Sequence, residues 1–173
     1  MNVTTPQIAS VTIAELAPTL RIALRVAEPA AGIAIGLALP ARVGARAVAG
    51  ERSALCLGPD EWLLEAPSSE AEAFGATLAE LGARMPMSAV EVSDREITYA
   101  LEGRAVLDLL ATGCPRNLAE MPIGSGVRTV FDTAQVVLTR EAEDSFRLTV
   151  WRSFAPHVRA LLDIAARELA VGL

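Results

Sequence analysis

Lysine is missing altogether: all 15 basic residues among the 173 are arginine. A Walker A lysine, a Schiff-base lysine and a lysine general base are therefore excluded. Histidine occurs once, as His157, so no two-histidine zinc site can be built. Cys56 and Cys114 stand far apart and match no CxxC pattern, which leaves two reduced, buried thiols as the expectation. Aromatic residues make up only 4% of the chain, so the core must be built from Ala, Val, Ile and Leu. Long apolar runs are also lacking. The longest, Ala30 to Ala41, falls short of the roughly 20 residues a membrane-spanning helix needs. Met1 to Ser10 has neither a charged n-region nor an apolar h-region, so no export signal is visible and a cytoplasmic location is expected. Positive charge is in deficit too: net charge is −6 and the arginines are scattered, which gives nucleic acid no footprint.

Apolar residues are abundant. They make up 52% of the chain, above the roughly 45–50% usual for soluble domains. The excess belongs in the core or under a partner. The strongest pattern runs from Val127 to Leu169. Val127 to Phe131 alternates apolar and polar, Gln135 to Glu141 is apolar and β-branched, and Phe146, Leu148 and Val150 alternate onto one face. The polar turn Glu141 to Asp144 predicts that the last two runs pair as a hairpin. Ser153 stands at an N-cap position, Pro156 falls in a first turn, and Phe154, Val158, Leu161, Leu162, Ala165 and Leu169 form a helical stripe.

Earlier in the chain, residues 1–17 read as a flexible head and 18–173 as a single domain. Leu20 to Val26 and Gly32 to Leu39 read as strands around a turn at Glu28-Pro29, and Pro40 to Gly50 as loop with a short strand. Ser53 to Leu57 and Trp62 to Leu64 flank the turn Gly58-Pro59-Asp60-Glu61. Ser69 and Glu72 have capping-box spacing ahead of a helix that ends at Gly82. Met87 to Val92 and Ile97 to Leu101 predict a hairpin around Ser93-Asp94-Arg95, and a short helix from Arg104 to Ala111 closes at Gly113. Strands and helices do not alternate one for one, so a doubly wound parallel sheet is disfavoured. The fold class is α+β, with largely antiparallel sheets, helices and two similar halves.

Several groups have the chemistry for a site. Cys114 with His157 as base could form a nucleophile pair, but Gly-Cys-Pro after a helix is a natural stop. Gly124-Ser125-Gly126 could cradle a phosphate, yet it precedes a strand and lacks a helix dipole. Asp60 with Glu61, and Asp94 with Glu96, could be paired acids; in turns, solvated carboxylates are ordinary. Arg95, Arg128 and Arg152 could bind a carboxylate ligand or make bidentate contacts to a partner, with interface pairing favoured, and Trp62 and Trp151 read as core residues or interface anchors.

Leu57-Gly-Pro-Asp-Glu-Trp-Leu-Leu64, Ser93-Asp94-Arg95, Gly113-Cys114-Pro115, Arg128-Thr129 and Arg152-Ser153-Phe154, in this order, resemble the sarcosine oxidase gamma subunit family. More distantly, Glu91 to Leu162 resembles the folate-binding domain of glycine-cleavage aminomethyltransferases. The resemblance implies that architecture and a small non-catalytic subunit of a heterotetramer. The assembly would oxidise sarcosine to glycine with tetrahydrofolate as one-carbon acceptor. It further implies alpha, beta and delta subunits as partners, with FAD, FMN and NAD held by larger subunits, no cofactor or metal on this chain, and self-association when it is isolated. The alternative is a stand-alone folate-binding or one-carbon transfer module. Departures from the aminomethyltransferase pattern favour the subunit: its Asp falls at Cys114 and its two Asn at Trp151 and Phe154. A filled central pocket is expected.

Overall fold

Alternation along the strands gives each sheet two faces, and the architecture follows from what covers each face. The computed structural model describes residues 10–172. The first nine residues of the expected flexible head lie outside the described residues. The strands are β1 (Thr12–Glu15), β2 (Leu20–Val26), β3 (Arg46–Ala49), β4 (Arg52–Gly58), β5 (Glu61–Ala66), β6 (Met87–Glu91), β7 (Glu96–Glu102), β8 (Gly126–Phe131), β9 (Ala134–Ala142) and β10 (Ser145–Trp151). The helices are α1 (Ala71–Gly82), α2 (Val106–Ala111) and α3 (Ala155–Ala170).

Two five-stranded sheets form, in the orders β3-β4-β5-β2-β6 and β8-β9-β10-β7-β1, with every pairing antiparallel. Read in those orders, the sheets correspond strand for strand, so the two similar halves are real. The fifth place differs in origin. In the first sheet it is filled by β6, from the same half, and in the second by β1, from the start of the chain.

One face of each sheet packs on helix. Leu20, Ile22 and Leu24 of β2 join Trp62 and Leu64 of β5 against Phe74, Leu78 and Leu81 of α1. Phe146, Leu148 and Val150 of β10 join Leu101, Val136 and Leu138 against Val106, Leu109 and Leu110 of α2 and Val158 and Leu162 of α3. The opposite faces meet each other over a small apolar cluster of Leu55, Leu63, Val92 and Val137. The layers are therefore helix, sheet, sheet, helix.

Four local expectations need correction. Thr12–Glu15, within the expected loose head, is an ordered edge strand paired to β7. Gly32 to Leu39 is no strand: a 3-10 turn at Pro29–Ile33 leads into further turns, and Leu37 N–H donates to Gly32 O at 3.0 Å. Its apolar residues Ile35, Leu37 and Leu39 are buried, closing the first core as a loop. Met87–Glu91 and Glu96–Glu102 do not pair. Ser93–Arg95 instead carries the chain from one sheet to the other, fixed by Val92 N–H on Arg21 O at 2.8 Å and Arg21 N–H on Ser93 Oγ at 3.0 Å. Neither serine cap forms: a 3-10 turn at Ser68–Glu70 precedes α1, and Phe154 rather than Ser153 occupies the N-cap of α3.

Candidate functional site

The faces that meet between the sheets are more polar than those that meet helix. Arg21 and Glu65, on adjacent strands, pair at 3.0 Å with Arg21 almost fully buried. Its guanidinium also donates to Thr98 Oγ1, which shares a hydrogen bond with Thr149 Oγ1 at 2.7 Å. Arg46 reaches across the sheets to Glu141 at 2.8 Å. Arg128 of β8 grips Glu61 of β5 through both oxygens, at 2.5 and 3.1 Å, and Arg25 adds a third contact at 3.0 Å. Buried charges tolerate this setting only when paired, and these are.

Between the sheets, beside these pairs, lies a cavity of about 230 Å³, lined by Glu61, Arg95, Glu96, Arg128, Thr149 and Trp151 among others. Its two carboxylates differ. The hydrogen bond from Arg128 holds Glu61 below the usual carboxylate range, against the opposing effect of burial. Burial pushes Glu96 upward, because Arg21, Arg95 and Arg128 act on it only from a distance, and its Oε2 is buried without a hydrogen-bond partner. Glu96 and Trp151 are cross-strand partners at the ends of β7 and β10. The expectation that Trp151 and Phe154 plug this space is corrected: Trp151 lines the cavity, and both rings remain partly exposed.

Other sequence candidates are rearranged. Trp62 has no exposed surface and donates its indole N–H to Pro40 O at 2.8 Å, so it leaves the set of partner-contact residues. Arg128 is committed to Glu61. Arg95 stacks over the Trp151 ring at 5.1 Å, and Arg152 Nε donates to Asp94 O at 2.8 Å. Cys114 and His157 do not meet. Cys114 is buried in the helix-facing core with Thr129 Oγ1 3.9 Å from its sulfur, while His157 Nε2 contacts Asp132 Oδ2 at 3.1 Å. That contact holds Asp132 below the usual carboxylate range and steadies a turn in which Asp132 has φ of 53°. Cys56 lies in the other helix-facing core, its thiol pushed up by burial.

The expectation that Glu61 and Glu96 sit in solvated turns is corrected: both are strand residues facing the cleft. The available signal was alternation: Glu61, Leu63 and Glu65 share one face of β5, and Glu96 and Thr98 one face of β7. The cleft can hydrogen-bond a small polar molecule, but it carries neither cysteine. Among the described residues no cluster suits a metal ion. Nor does the cleft suit a dinucleotide: its volume lies below the roughly 300–1,000 Å³ of ordinary ligand pockets. The Gly124-Ser125-Gly126 N–H groups are already spent on Arg140 O, Pro122 O and Gly44 O, so no phosphate cradle exists there. No described helix is long and apolar enough to cross a membrane.

Comparison with known proteins agrees with this geometry. A chain of the heterotetrameric sarcosine oxidase from Corynebacterium sp. U-96 superposes with a TM-score of 0.87 at 30% identity, over 96% of this chain and 88% of that one. The glycine cleavage system aminomethyltransferase T from Bartonella henselae shares the fold, with a TM-score of 0.69 at 19% identity over 92% of this chain and 50% of that chain. An aminomethyltransferase from Saccharopolyspora erythraea is 34% identical over 116 residues, 65% of this chain; the matched part spans 32% of that relative. The family model of the sarcosine oxidase gamma subunit matches residues 23–168, and the chain belongs to that family.

Proposed function

We propose that this chain is a small, non-catalytic subunit that stabilises a heterotetrameric sarcosine oxidase. The observation that carries the reading is the near end-to-end superposition on a chain of such an enzyme. The polar cleft adds support of another kind. Its Arg128 is spent on Glu61, tying the two sheets together, and both thiols lie outside it. In this reading the assembly demethylates sarcosine oxidatively to glycine, with tetrahydrofolate accepting the one-carbon unit. FAD, FMN and NAD reside on larger partners, the alpha, beta and delta subunits complete the complex, and the whole is cytoplasmic.

A tagged copy purified from its native cells should bring down larger subunits and a yellow flavin absorbance. A colourless, partnerless protein from cells that contain the oxidase overturns the proposal. One observation favours a second reading, a folate-binding or one-carbon transfer module: the cavity is open and a carboxylate, Glu96, lines it. A clear thermal shift of the lone chain at saturating tetrahydrofolate would support that module, and its absence would count against it.

A further inference from the structure

We infer that the corner formed by Arg95, Trp151, Arg152 and Phe154 docks an acidic segment of a partner subunit, one that sets a carboxylate beside an apolar side chain. The inference rests on the subunit reading above and says where, and by what chemistry, the partner is held.

The corner is built by the backbone. Arg152 N–H donates to Arg95 O at 2.7 Å, which closes the end of the β7–β10 pair, and Phe154 N–H turns back on Trp151 O at 2.9 Å to start α3. This places the two rings 6.5 Å apart, tilted by 43°. Trp151 is 40% exposed and Phe154 43% exposed, although the chain has few aromatics and fully buries Trp62, Phe131 and Phe146. Two adjoining aromatics left in water, flanked by arginines, have the composition of an interface anchor.

Charge selects the occupant. Arg25, Arg46, Arg52 and Arg128 each hold a carboxylate of their own. Among the described residues, Arg95 and Arg152 hold none: Arg95 lies over the indole, and Arg152 spends its Nε on a backbone carbonyl. Both are exposed. Beside them α3 begins with no side-chain cap and no acidic residue of its own in its first turn, where Asp132 from the β8–β9 turn reaches His157 at 3.1 Å. Two exposed guanidiniums without an ion-pair partner thus stand side by side in a molecule whose net charge is −6, with the exposed Asp94 between them left for solvent. A carboxylate between the guanidiniums and an apolar side chain on the two rings satisfy both halves of the patch.

The test is assembly of the full complex from co-expressed subunits, with the affinity of this chain for the rest measured at low and high salt. Trp151→Ala, and separately the charge reversal R95E/R152E, should each weaken binding by about thirtyfold or more. The double reversal should also flatten the salt dependence. Because that reversal also removes the Arg95–Trp151 stacking and the Arg152–Asp94 hydrogen bond, the milder R95Q/R152Q is measured beside it: it should weaken binding in the same direction while the lone chain still melts cooperatively. Reversal of the exposed Arg84, at the far end of α1, should leave binding unchanged. If the parent assembles and both corner variants assemble equally well, the corner is overturned and the subunit reading stands. If only Trp151→Ala weakens binding, the acidic occupant is overturned. If the parent assembles with nothing, both fall together.

Discussion

Glu96 concentrates the conflict between folding and the cleft. Its carboxylate lies between two sheets, has one oxygen without a partner, and sits near Arg21 and Arg128, which hold other carboxylates, and Arg95, which lies over the Trp151 ring. A raised pKa means that the folded state holds the proton more tightly than the unfolded chain. The corresponding stability is fully present below the ordinary value of 4.5 and is lost as pH rises through the folded value. Glu61 runs the other way: its contribution is present above 4.5 and is lost as pH falls through its lowered value. Glu96→Gln should therefore be at least as stable as the parent near neutral pH, and its advantage should shrink as pH falls toward 4.5. Thermal melts of both proteins across this range check the sign; an advantage that grows on acidification would refute it. Arg140 shows the opposite solution for a buried charge. Its guanidinium donates to the carbonyls of Leu118, Ala119, Met121, Ala142 and Glu143, at 2.7–3.3 Å, and so fixes the loop before β8.

Among the elements, β1 has the least support of its own. Three of its four residues are exposed and Ile13 is half-buried, and among the described strands it pairs with β7 alone. Gly103 decides whether it can dock. Its φ of 138° suits glycine, and an added Cβ would stand 2.1 Å from Ser10 O, a backbone atom that can clear it only if the start of β1 shifts. Gly103→Ala should release β1 and expose the edge of β7, at a cost on the order of 1–3 kcal/mol. Hydrogen exchange should show lost protection at Thr12–Glu15, with β9 and β10 unaffected; protection retained at β1 would sink this account. The helix α3 needs no such device, because Val158, Leu162 and Ala165 are buried at helical spacing. That spacing is also why it was legible in sequence. The β9–β10 hairpin was legible too, since the polar turn Glu141 to Asp144 separates two strand-like runs. Gly32 to Leu39 was not, because an apolar loop that closes a core has the composition of a strand. The exchange of sheets at Ser93–Arg95 was hidden too: a three-residue connection between two strands reads as a hairpin, and only the bonds to Arg21 redirect it.

For the whole molecule, composition pointed two ways, toward a large core or a covered surface. Three clusters of buried apolar residues take up much of the 52% apolar share. Ile33, Val43, Val48, Val90 and Ile123 nevertheless stay more than half exposed. A chain built for an assembly should gain stability from it by mass action. With partner subunits at about 100 times their dissociation constant, the gain is about 2.7 kcal/mol. Unfolding of this chain inside the complex should therefore occur at higher temperature than alone, and an identical melting point would contradict the subunit role. The candidate site was half legible. Arg95 and Trp151, picked out by residue type, line the cleft; Arg152, picked out with them, does not. The cleft itself was not legible, because it exists only where two faces from different halves meet, and no local pattern shows that meeting.

The mixed parentage of the second sheet also sets an order of events during synthesis. Thr12 pairs with Glu102 and Glu15 with Tyr99, so β1 leaves the ribosome some 84 to 90 residues before β7. At about 5–20 residues per second that is a wait of roughly 4 to 18 seconds. The first sheet, complete once Met87–Glu91 has emerged, can close in that interval without it. The first of the described strands to be made thus waits until the whole first sheet can have closed, and the nascent chain spends those seconds with a short, glutamate-bearing strand that has nowhere yet to bind.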